Sequence, residues 1–203
     1  LGSNPSWAAT TGMDSQTLSK IKLFAEAQYS LSQDPLHDIT HIERVVKNAT
    51  QIASALQLQK EVDFNLLVAC CYLHDIVMIQ QDNSNLFQRA KNHVMEPYLN
   101  RTYLPAILDE FGLSKEERSI IFRAIINHPH SIPYRRLNKK GDWYTKILQD
   151  ADTLDYVSKE RERSAVQNGK KIWTNLIKAY LWLIRRGIKY FLNTPVLCSK
   201  TPT

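Results

Sequence analysis

The chain has 203 residues, 43% apolar and 23% charged, a balance that suits one globular domain with its own core and excludes a disordered chain. Its best apolar run, FNLLVACCYL at 64–73, is about half a bilayer span, so no membrane-crossing helix is expected. The net charge of +6, from 26 basic against 20 acidic residues, favours partners that carry phosphate.

The first twelve residues, LGSNPSWAATTG, lack the charged start and apolar core of a secretory leader and read as a remnant or disordered tail. The expected single domain is 13–203. Three cysteines, two of them adjacent at Cys70 and Cys71, offer no disulfide framework, and a reducing cytoplasm is the expected setting.

Periodicity predicts helices nearly throughout and no hairpin, hence an all-α fold. A first helix over 14–32 turns Leu18, Ile21, Phe24 and Ala25 to one face, and Pro35 breaks the chain after it. A second, over 39–57, carries Ile42, Val45, Val46, Ala49, Ile52, Ala53 and Leu56 at three- and four-residue steps. Residues 62–79 are apolar almost all round and predict one central buried helix, while 85–111 predict two helices interrupted between Pro97 and Pro105. SKEE at 114–117 is a capping box opening a helix to about Asn127, and Pro129 and Pro133 enforce a loop. Asp142 caps a helix running to about Tyr156. The last helix, 171–191, is expected to turn Ile172, Leu176, Ala179, Tyr180, Leu183 and Ile184 inward. Two basic stretches, RRLNKK at 135–140 and residues 170–203 with seven Lys or Arg and no acid, read as solvated surface rather than a nucleic-acid site, because aromatic residues barely interleave them.

Chemistry concentrates in three segments. HDITHIERVV at 37–46 puts His37 and His41 one turn apart, with His41 in phase with Val45 and Ile52 on the inner stripe. LHDIV at 73–77 places His74 and Asp75 where a lone carboxylate needs a proton, a basic partner or a metal. LQDADTLDYV at 148–157 carries Asp150, Asp152 and Asp155, which cannot all face one way on a helix. Neutral imidazole nitrogens and carboxylate oxygens together make a donor set for a divalent cation.

These motifs, in this order, resemble the HD superfamily of metal-dependent phosphohydrolases, in particular its small single-domain bacterial-type members. The resemblance spans roughly 25–195 and includes AIINHPHS at 124–131 and FLNT at 191–194. It implies a compact multi-helix bundle and one divalent ion on His41, His74, Asp75 and Asp152, with Asp150 as the alternative to Asp152. The mixed nitrogen and oxygen donors suit Mn, Co, Ni, Fe or Zn. Asp75 would both bind the ion and orient water, while Arg44, His128 and His37 would face substrate, a small phosphorylated molecule such as a nucleotide. Where the family often continues with Gly or an acid after His-Asp, this chain has Ile76, Val77, Met78 and Ile79. Besides a hydratase or hydrolase acting on a small molecule without phosphate, two other readings stand beside this one. The first is a two-metal centre with His93 or His128 as added ligands, a cyclic-nucleotide phosphodiesterase or di-iron oxygenase. The second is a non-catalytic metal- or nucleotide-binding module.

Overall fold

The computed structural model describes residues 12–32, 37–82, 86–129, 141–167, 171–190 and 192–194. The RRLNKK loop, His130 and the first eleven residues lie outside them. The described residues form helices and no strand, so the fold is all-α.

Helix α1 (Ser15–Ser30) begins at Asp14, whose side chain accepts from the Thr17 N–H, and buries Ile21, Ala25 and Tyr29. Helix α2 (Ile39–Ala55) is capped in the same way by Asp38 and buries His41 along with Ile42, Val45, Ala49, Ile52 and Ala53. Helix α3 (Phe64–Leu73) starts at Asp63, which caps Leu66 and also accepts from the Met13 N–H at 2.6 Å. The Asp63 N–H in turn donates to Tyr144 Oη at 2.8 Å. One residue thus ties the chain start, α3 and the later helix bearing Tyr144.

The central helix expected over 62–79 is two helices. α3 stops at Leu73, and a short α4 (Ile76–Ile79) follows, with Asp75 between them out of helical geometry at φ −103° and ψ 7°. The break falls on the His-Asp pair. The Cys71 carbonyl, one of the acceptors stranded at a helix end, takes a 2.7 Å hydrogen bond from His74 Nδ1. The pattern of apolar residues is unchanged across the break, so periodicity could not show it.

A second departure is α5 (Leu86–Asp109), one helix of 24 residues with Pro97 and Pro105 inside it. Its inner stripe holds Asn92, Glu96, Asn100, Leu104 and Leu108, all buried, at steps of four. The stripe packs on α4 and on α6 (Lys115–Asn127), and this continuous contact outweighs the interior prolines. Gly112, at φ 66°, makes the turn between α5 and α6. α6 opens on the expected capping box of Ser114 and Glu117.

Helix α7 (Trp143–Tyr156) opens at Asp142 and lies along α2 in the most extensive helix pairing of the described fold. After it come α8 (Lys159–Gln167), which was not anticipated as a separate helix, α9 (Lys171–Arg186) and a 3-10 turn (Ile188–Tyr190). On α9 the buried residues include Leu181 and Ile184, whereas Leu183 and Ala179 are exposed, contrary to expectation. α9 rests mainly on α8. The side chains of Ile172, Leu176 and Tyr180 lie outside the description.

α3 touches α1, α2, α6 and α7, and its Leu67 is fully buried. Leu67→Ala is expected to cost roughly 2–5 kcal/mol of stability by opening a cavity at this crossing, read as a lower urea midpoint with an unchanged slope.

Candidate metal centre

His41 enters from the first turn of α2. Asp38 accepts its backbone N–H at 2.8 Å, which sets where the helix begins. On α7, Asp155 Oδ2 lies 2.7 Å from His41 Nδ1. A carboxylate only accepts, so Nδ1 carries the proton and Nε2 presents its lone pair. Asp155 is itself held by the Arg44 guanidinium, through Nε and through Nη2 at 3.4 Å, with Arg161 Nη1 3.8 Å away. Burial works against its charge, but hydrogen bonds from His41 and Arg44 prevail and bring its pKa down to about 2.

His74 is oriented by the same device, its Nδ1 proton given to the Cys71 carbonyl. The two Nε2 atoms then face each other 3.3 Å apart. Asp75 Oδ2 lies 3.3 Å from His41 Nε2 and 3.2 Å from His74 Nε2. Asp152 Oδ1 stands 3.6 Å from His41 Nε2. Ligands bound to one ion at about 2.0–2.2 Å lie roughly 3–3.5 Å apart, the spacing seen here. His41, His74 and Asp152 each bring a ligand atom within 4.8 Å of one another, as do His74, Asp75 and His128, so the cluster could hold a divalent cation.

The electrostatics agree. Burial alone would lower His74, yet Asp75 and Asp152 outweigh it and push its pKa up to about 9. Burial would raise Asp75, but the imidazoles of His74 and His37 hold it well below the usual carboxylate range. The cluster attracts a positive charge, and a metal must compete with a proton for it.

The three aspartates of α7 divide by direction. Asp152 is the one at the cluster, with a side chain 25% exposed. Asp150 is fully buried elsewhere. It accepts from the Asn193 and Thr194 backbone N–H groups at 2.8 and 2.6 Å, and from the Thr194 hydroxyl at 2.5 Å. The LNT segment at 192–194 is thus fastened to α7, and the alternative ligand Asp150 is accounted for.

The residues expected to face substrate are placed variously. Arg44 is bound to Asp155 instead of reaching over the centre, because a buried carboxylate behind His41 needs a cation more than open solvent does. His37 Nε2 is 3.8 Å from Asp75 Oδ2, with a side chain 27% exposed, so it stands at the rim. His128 is buried, its ring 5.1 Å from that of His74. Its Nδ1 donates to the Ile125 carbonyl at 2.6 Å, and burial together with His74 lowers its pKa to about 4. His93 is half exposed.

Sequence reasoning missed Glu96. It is buried, and its Oε1 lies 3.6 Å from His128 Nε2. Burial, reinforced by Asp75 and Asp152, raises its pKa well above the usual range. The available signal was its four-residue step to Asn100, Leu104 and Leu108, obscured by the prolines.

Alanine at His74 or Asp152 is expected to weaken Mn²⁺ binding at least ~100-fold by calorimetry, and Asp155→Asn by ~10–100-fold through the loosened His41 ring. Asp150→Asn should keep the affinity and lower thermal stability. Because His74 titrates near 9 without metal, Mn²⁺ affinity should rise with pH from 6 to 9. Binding in that range should release a proton, measurable as a dependence of heat on buffer ionisation enthalpy.

Comparison with known proteins agrees with the fold. A crystal structure at 1.45 Å of a predicted HD superfamily hydrolase from an uncultured Thermotogales bacterium is similar at TM-score 0.52 and 21% identity, over 86% of this chain and 90% of that one. At this identity the likeness speaks for the fold. No curated protein matches. The HD-CE family model matches residues 24–184, a stretch that begins in α1, ends in α9 and contains all four donors, and the chain belongs to that family of HD-domain proteins.

Proposed function

We propose that this protein is a metal-dependent phosphohydrolase acting on a phosphate ester or anhydride, with a nucleotide as the favoured substrate. The observation that carries the reading is the pair of imidazole Nε2 atoms 3.3 Å apart, with Asp75 Oδ2 3.3 and 3.2 Å from them and Asp152 Oδ1 3.6 Å from His41 Nε2, beside a rim that solvent reaches. The mixed donors suit Mn, Co, Ni, Fe or Zn. When bound, such an ion acidifies water and offsets charge on a phosphoryl oxygen.

The chain's own residues supply the rest. Asp155 holds His41, and the Cys71 carbonyl holds His74, so neither ring has to reorient when substrate arrives. Asp75 is both a donor and the carboxylate nearest to an attacking water. His37 and Asp152, the partly exposed members, mark the side from which substrate enters. The net charge of +6 favours approach of a polyanion. Among the described residues no helix is long and apolar enough to cross a membrane. The free, buried thiols of Cys70 and Cys71 fit a reducing cytoplasm.

The test is a metal-resolved screen. Protein stripped with chelator and restored with each divalent ion is expected to release phosphate or pyrophosphate from some member of a nucleotide panel, and His74→Ala to fall at least ~100-fold below it. Equal background release by both proteins under every ion would end the reading.

A further inference from the structure

Helix α5 is amphipathic the wrong way round over its first four turns. Its buried stripe begins with Asn92, Glu96 and Asn100, while Phe87, Val94, Met95 and Tyr98 are 78, 74, 38 and 61% exposed. Among the described residues the helix packs mainly on α4 and α6, and its opposite face is left to solvent. Steps of four, three and four from Phe87 through Lys91 and Val94 to Tyr98, with Met95 and Thr102 beside them, put these residues on that one face. Thr102 adds a methyl group to it, because its hydroxyl is given to the Tyr98 carbonyl at 3.0 Å. A continuous band of exposed apolar side chains marks a surface that another body covers.

The band is symmetric about the point between Val94 and Met95. Lys91 stands three residues before Val94 and Tyr98 three after Met95; Phe87 and Thr102 stand seven before and seven after. Two copies laid antiparallel about a two-fold axis at that point bring Val94 against its own copy, and Met95 likewise. Lys91 then meets the partner's Tyr98, an ammonium over an aromatic ring, and Phe87 meets the partner's Thr102. Arg101, on the flank, comes level with the partner's Gln88. No cation lies level with a cation, although each chain carries a net charge of +6. Lys91 is the one charge within the band, too few to hold an acidic peptide or an anionic lipid surface. The band offers roughly 500 Å² per copy and about 1,000 Å² for a pair, the least that a specific interface needs.

We infer that the outer face of α5 is a homodimer interface, with the two helices antiparallel about an axis between Val94 and Met95. The face lies on the far side of α5 from Glu96, so the inference is independent of what the His-Asp cluster binds.

Sedimentation equilibrium of the full chain, from micromolar to near-millimolar concentration, tests it. Wild type is expected to reach twice the chain mass of 23.5 kDa. Val94→Asp, which opposes two carboxylates at the axis, should sediment as a monomer with an unchanged circular dichroism spectrum. Tyr98→Lys sets an ammonium against the partner's Lys91 and should also dissociate, and adding Lys91→Glu to it should restore the dimer. In a Cys198→Ser background, where Cys70 and Cys71 are buried, Val94→Cys should give a disulfide-linked dimer on mild oxidation. Leu23→Cys, at a position 67% exposed on α1, should not. Wild type that stays monomeric throughout, or a dimer that survives Val94→Asp, overturns the interface. So does a dimer broken by Trp182→Asp and untouched by Tyr98→Lys, which would sit on α9, where Trp182 is 55% exposed.

Discussion

The hydrogen bond from His41 Nδ1 to Asp155 is the constraint on which the site depends. With its counterpart from His74 Nδ1 to the Cys71 carbonyl, it removes the ring proton from the side that matters and turns two Nε2 lone pairs on each other at 3.3 Å. Such an arrangement is unfavourable in a dry interior unless a proton or a metal ion lies between the rings, and Asp75 and Asp152 favour such a positive charge by pushing the His74 pKa up to about 9. The fold therefore holds in place a cluster that draws a positive charge, and surrounding packing sustains it. The pairing of α2 with α7 sustains it directly. It seats Asp155 behind His41, and the Asn48 amide clasps the Ala151 carbonyl at 3.0 Å one turn earlier.

Helix α7 shows how three like charges within six residues are used without mutual destabilisation. At about 100° per residue, Asp152 and Asp155 stand roughly 200° and 140° around the axis from Asp150. Each therefore meets different partners: Asp150 the 192–194 segment, Asp152 the cluster, and Asp155 the pair His41 and Arg44. Gln149 adds a link, donating to the His128 carbonyl at 3.3 Å and accepting from Asn193 at 2.8 Å. The end of α6, helix α7 and the 192–194 segment are thus one hydrogen-bonded unit.

The break at His74 and Asp75 follows the same logic. A continuous helix would keep both side chains in helical register; ending α3 at Leu73 lets Asp75 turn until a single oxygen sits 3.2–3.3 Å from both rings. Behind them α5 presents a buried stripe that is polar for its first turns and apolar for its last. The polar half lies toward the centre, where Glu96 meets His128, and the apolar half packs against α6.

What the sequence determined by itself was whatever depends on neighbours within a turn or two. Helix starts at Asp14, Asp38, Asp63, Ser114 and Asp142 are local hydrogen bonds, and the inward phase of His41 is a local period. Four donors could also be named from three motifs. Tertiary structure decided what depends on partners far along the chain. Whether Asp150 or Asp152 met the cluster turned on a segment more than forty residues away. Arg44 was drawn to a carboxylate on α7, over a hundred residues distant. Glu96 came to face His128 because α5 continued through its prolines and packed on α4 and α6. Periodicity reports that a face is buried. It carries no information on which polar groups meet there, since that is set by the angles at which separate helices cross.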